Sequence, residues 1–176
     1  MPLKTLISAA ALAGLAAGAA LAKEDLVLPP ADAVFTKWGE AEGWTIYTDL
    51  DSRTCLIERV DAAENVIQMG LTRDHAHAYL GIFTKADLGL KSGKGEVFVA
   101  LHDGLYEGQA QRLTKHLPEG YTGGYVVTDS PDFVEDVQKS YEMVVFPETD
   151  YALVVDLTGS LKAIEAAREC NRELNS

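Results

Sequence analysis

The stretch GSLKAIEAARECNREL, Gly159 to Leu174, closes the chain and holds Cys170, the second of only two cysteines. At about 100° per residue, Ala163, Ile164, Ala166, Ala167, Cys170 and Leu174 fall on one arc, with Lys162, Glu165, Arg168, Glu169 and Arg172 opposite. The pattern predicts an amphipathic helix capped by Ser160, with Cys170 turned inward. The other cysteine, Cys55, sits in TCLIERV (residues 54–60), a β-branched, apolar run that reads as a strand. A core-facing helix laid on that strand brings the two sulfurs together. Two buried free thiols and a bridge between two chains are the competing arrangements, and the intramolecular Cys55–Cys170 disulfide is the favoured one.

Whether two thiols oxidise depends on the compartment. Residues 1–22 carry one positive charge, Lys4, then an uncharged Ala/Leu-rich run that ends in Ala20-Leu21-Ala22. A positive start, an apolar centre and small residues three apart match a secretory signal peptide. Cleavage near Ala22-Lys23 leaves 154 of the 176 residues, enough for one domain. An apolar run of about 18 residues is the lower limit for spanning a bilayer, so a retained anchor competes on length alone. The Leu-poor composition and the small-residue boundary favour removal, and the mature chain is expected in the periplasm or secreted, without stable membrane insertion. Losing Lys4 takes the net charge from −12 to −13. Such a surface repels nucleic acid and anionic headgroups, which bind clustered Lys and Arg.

Working back from the final helix, YEMVVF (141–146) and YALVVDL (151–157) read as strands broken by PETD. DSPDFVEDVQKS (129–140) reads as a helix with Ser130 as cap, Pro131 first and Asp132 in the first turn. GWTIYTDL (43–50), VIQMGLT (66–72) and AYLGIFT (78–84) read as strands, and EVFVALH (96–102), apolar on both faces, reads as a central one. YTGGYVVT (121–128) is a short strand, DAAEN (61–65) a turn, KADLGLKSGKG (85–95) a polar excursion. GQAQRLTKHL (108–117) fits an edge strand or a short helix equally. Residues 23–42 show no clear period and read as an extended leader pinned by Phe35 and Trp38. Strands followed by helix, two strands and helix predict an α+β domain over 43–176. Its mostly antiparallel sheet or sandwich carries two helices in the C-terminal half, the last disulfide-linked to the sheet.

Chemistry-bearing motifs are scarce. KSGKGE lacks P-loop spacing, and no GxSxG elbow, HExxH or zinc-type cysteine cluster occurs. The 27 carboxylates are too scattered to single out a catalytic pair. In RDHAHAYLGI (73–82), His75 and His77 on a strand would point the same way. With His102 as a third ligand they could hold Zn or Cu, although solvated histidines at a strand end are the commoner case. Trp38, Trp44, Tyr47 and Tyr106 could line a binding surface, or simply pack.

Four segments taken together, GWTIY (43–47), TCLIER (54–59), HDGLY (102–106) and DLTGSLKAIEAAREC (156–170), resemble small exported proteins of Gram-negative bacteria of the invasion-associated locus B type. The resemblance spans residues 43–174 in the order of elements. It rests on Trp44, Cys55, Gly104, Gly159 and Cys170, and it implies a periplasmic β-rich domain with no established active site. Those positions read as structural, so no functional residue carries over. The function expected is that of a non-catalytic envelope protein: a binding, adaptor or inhibitor module for an envelope protein or small ligand. The alternative is a periplasmic metal-binding or metal-dependent protein using His75, His77 and His102. A hydrolase built from carboxylates has no specific residue behind it.

Overall fold

The computed structural model describes residues 28–29, 33–87, 96–101, 104–110, 119–128, 131–147 and 152–176. The export segment expected over 1–22, residues 23–27 and 30–32 of the leader, residues 91–95 of KSGKGE, His102 and the Ser130 cap lie outside them.

Among the described residues ten strands and two helices follow one another: β1 (Phe35–Ala41), β2 (Trp44–Asp49), β3 (Thr54–Val60), β4 (Val66–Leu71), β5 (Ala78–Thr84), β6 (Glu96–Leu101), β7 (Gly104–Ala110), β8 (Thr122–Thr128), α1 (Pro131–Lys139), β9 (Glu142–Val145), β10 (Leu153–Asp156) and α2 (Ser160–Leu174). The strands are hydrogen-bonded, all antiparallel, in the order β1-β2-β3-β4-β5-β8-β7-β6-β9-β10. Two joins are thin. Among the described residues β8 pairs with β7 at Gln109↔Tyr125 and Ala110↔Gly124, and β6 pairs with β9 at Val99↔Val145 and Ala100↔Val144, extended by the Phe146 N–H donating to the Phe98 carbonyl (2.9 Å). Alternation places Ile46, Ile57, Ile67 and Leu80 on the same face as Val97, Val99 and Val145, in one core with Phe133 of α1 and Cys170 of α2. Strands from both sides of the β8–β7 join therefore wrap a single core closed by the helices. This is the α+β architecture expected, with the Cys55–Cys170 disulfide (Cα–Cα 6.1 Å) tying α2 to β3.

Three details depart from expectation. Residues 35–41 of the expected leader form β1, paired along β2. The register shifts between Lys37 and Gly39, and a bulge interrupts the period of two, so FTKWGEA does not alternate. Ser160 is the first residue of α2, and buried, rather than its cap. Gly159 precedes it at φ 82°, with no side-chain cap bond. A Cβ there would stand 2.5 Å from Glu42 Cβ and 2.6 Å from the Glu42 carbonyl oxygen, so the helix starts where the β1–β2 turn presses on the backbone. GQAQ belongs in part to β7, whereas 111–118 lie outside the described residues.

Trp44 is fully buried and donates its indole N–H to the Thr158 carbonyl (3.1 Å). Arg59 lies over the same ring and donates to Thr158 as well (3.0 Å). The turn into α2 is thus held against β2 and β3 by two donors on one carbonyl, which sets the depth at which the helix lies.

The sheet face away from the helices buries Tyr79, Phe83 and Tyr125 with Leu28 and Tyr121. Tyr125 meets Tyr79 and Phe83 edge-on, at 5.6 and 5.2 Å between centroids. Beside them Glu58, half-buried, accepts a hydrogen bond from Gln68 Nε2 (2.8 Å). Burial is the larger influence on Glu58 and raises its carboxyl above the ordinary glutamate value; the Gln68 bond opposes it. Between the unfolded and folded pKa values the unfolded chain holds fewer protons, so stability falls as pH rises through that window. Glu58→Gln is expected to raise the melting temperature at pH 7 and to leave it unchanged below pH 4. Thermal melts of both proteins across pH 3–8 test this; a lower melting temperature for the variant at neutral pH refutes it.

Candidate functional site

Between the sheet and the two helices lies a cavity of about 290 Å3. Its floor comes from Ile57 of β3 and Met69 of β4, one side from Phe133, Val134 and Val137 of α1, the other from Ile164 and Ala167 of α2, and Cys55 of the disulfide closes one end. The local cause is legible in α2. Ala163 and Ala167 are its sheet-facing residues, and an alanine stops at Cβ where a leucine would reach the strands. The disulfide and the Trp44–Thr158 bond hold α2 in place, so the helix cannot close the gap left beside α1. Protein interiors are otherwise close-packed. A volume about twice that of a 150 Å3 cavity known to take up benzene is room for a small apolar body.

The rim is polar at two residues of α2, Asn171 and Arg168. Asn171 is committed: its Oδ1 accepts from the Cys55 backbone N–H and its Nδ2 donates to the Ala167 carbonyl, both at 2.9 Å. Arg168 is exposed and, among the described residues, has no ion-pair partner. Its helical neighbours Glu165 and Glu169 are taken by Lys162 and Arg172. The helical wheel places Arg168 on the solvent side; it is exposed in the fold and also lines the cavity, which puts it at the mouth.

The histidines fall elsewhere. β5 begins at Ala78, so His75 and His77 lie in the preceding turn and the same-face relation of a strand does not apply. Asp74 builds that turn. Its Oδ1 accepts from the Thr72 hydroxyl (2.6 Å) and the Ala76 N–H (3.1 Å), and His75 takes φ 60°. His75 Nε2 donates to the Ser52 carbonyl at 3.0 Å, which joins this turn to the β2–β3 turn. Among the described residues no three His, Cys, Asp or Glu side chains are grouped to hold a metal, and His102 lies outside those residues.

The four aromatics do not converge on one surface. Trp44 is core. Trp38 donates to Glu173 (3.0 Å) and ties β1 to α2. Tyr106 stacks edge-on against Phe133 and donates to Asp136 (3.0 Å), fastening α1 to β7. Tyr47 lies on the far face, half-buried, with burial raising its hydroxyl pKa. Comparison with family models, with curated proteins and with solved structures finds no match to this chain. Among the described residues no helix is long and apolar enough to cross a membrane.

Proposed function

We propose that this chain is a non-catalytic, exported binding or adaptor module of the cell envelope, and that it works by receiving an apolar group in the cavity between β3, β4, α1 and α2. The observation that carries the reading is the cavity itself: apolar walls, a polar rim and a rigid frame, the features of small-molecule sites. Export is supported by the layout of residues 1–22 and by the disulfide, a bond of oxidising compartments. The absence of a nucleophile or zinc motif from the sequence supports binding over catalysis.

Titration of the disulfide-bonded protein with an environment-sensitive naphthalene dye is expected to give saturable one-to-one binding. Val134→Trp, at the half-buried cavity wall, fills the space and should weaken that binding at least roughly tenfold while the melting temperature holds. Non-saturable dye uptake, or equal uptake by the variant, refutes the reading.

A further inference from the structure

We infer that the cavity selects an amphipathic anion, a free carboxylic acid with a single apolar body the size of a medium-chain fatty acid, its chain inside and its carboxylate on Arg168. The inference rests on the cavity reading above and adds the class of ligand.

The walls supply no charge. Among the described residues Arg168 is the only charged one that lines the cavity, and it stands at the mouth, where a ligand's head would remain. Exposed cations on this helix are otherwise neutralised by a carboxylate three residues away, Lys162 by Glu165 and Arg172 by Glu169. Arg168 sits between those two pairs and is left uncompensated in a chain of net charge −12. A planar guanidinium presents paired donors matched to a carboxylate. Asn171, at the second rim position, is neutral and held in place by one hydrogen bond at each end of its amide. The acidic surface repels anions at long range, so selection for an acid has to come from this local contact.

Size narrows the source. About 290 Å3 holds one medium chain or a two-ring aromatic, not the paired tails of a membrane lipid, so the ligand is a free acid and not a lipid headgroup with its chains. Within the cavity each added methylene should tighten binding roughly fourfold until the space is full.

The test uses the intact disulfide-bonded protein with octanoate, 1-octanol and octyltrimethylammonium, each displacing the naphthalene dye. Octanoate is expected to bind roughly tenfold more tightly than octanol, as a charge-assisted contact allows. Arg168→Gln should erase that difference and leave octanol unaffected; the position is exposed, so folding is retained. Octanol matching octanoate, or a variant that weakens both alike, overturns the charge selection while the cavity reading stands. Displacement by none of the three overturns the cavity reading itself. Binding to phosphatidylglycerol vesicles that octanoate cannot compete away, and that Arg168→Gln abolishes, overturns the free acid in favour of a lipid.

Discussion

Removing the Cys55–Cys170 bond, by reductant or by the Cys55→Ala/Cys170→Ala double change, is expected to destabilise the domain by about 4 kcal/mol and to leave it folded at 25 °C. The bond spans 115 residues. A loop that long restricts the unfolded chain strongly, by about 4–5 kcal/mol in the chain-entropy model, with measured losses of about 2–5. The native state keeps its other fastenings on α2. Asn171 still accepts from the Cys55 backbone, Arg53 Nε still donates to the Leu174 carbonyl at 3.1 Å, and Trp38 still reaches Glu173. The loss is therefore placed in the unfolded state, and two measurements separate it from a packing defect. The melting temperature should fall by roughly 10 °C, at about 2–4 °C per kcal/mol for a domain this size. The urea m-value should rise, because an unlinked chain exposes more surface when it unfolds. A melting temperature lowered with no change in m would assign the effect to contacts around the sulfurs. A shift of a degree or two would mean the bond contributes little.

This bond and the architecture around it were legible in the sequence for one reason: both rest on periodicity. Cys170 shares an arc with Ala163 and Ala167, and burial follows that pattern; Ile67, Met69 and Leu71 alternate with Gln68 and Gly70, but β4 is covered on both faces, so Gln68 is buried as fully as Ile67 and Leu71 only half. Where a local event interrupts the period, legibility ends. The shift at Lys37/Gly39 hides β1. The Asp74 turn takes His75 and His77 out of any strand pattern. Ser160 looked like a cap because serine commonly is one; only the approach of Glu42 to Gly159 shows why a bare backbone is needed just before it. The cavity belongs to a third kind of feature. Ala167 of α2 reads as core-facing, but the space between two helices depends on how each is anchored, through Tyr106 to Asp136 on one side and Trp44 to Thr158 on the other. Those contacts join residues 30 and 114 positions apart, beyond the reach of any local pattern. Arg168 is exposed, as the helical wheel places it; what the wheel cannot show is that it also lines the space beside α1.

Gly123→Ala is expected to be the most damaging single methyl that can be added to the sheet. β8 lies on β5 with Phe83 opposite Gly123 and Ile82 opposite Gly124, and a Cβ on Gly123 would sit 1.9 Å from the Ile82 carbonyl oxygen and 2.8 Å from Phe83 Cα. Both obstacles are backbone, so no rotamer change relieves the clash; β8 has to leave β5 or shift register. β8 also carries Gly124 and Tyr125, through which, among the described residues, it pairs with β7, and displacing it opens the join between the two sets of strands that share the core. Overpacking a core by a methyl costs about 1–3 kcal/mol where side chains yield. With backbone on both sides and ladder bonds lost, a loss of at least about 4 kcal/mol is expected, a large part of a typical domain's 5–15. Two further alanines calibrate it. At Gly81 the added Cβ meets the Tyr125 ring at 2.8 Å, a side chain that can tilt, and about 1–2 kcal/mol is expected. At Gly39 nothing lies within 4 Å, and the change should stay within about 0.5 kcal/mol. Urea unfolding of the three variants should rank them 123, 81, 39. If Gly123→Ala unfolds at the same midpoint as Gly39→Ala, β8 does not lie against β5 in this register, and the continuous order of strands from β1 to β10 is wrong at its centre.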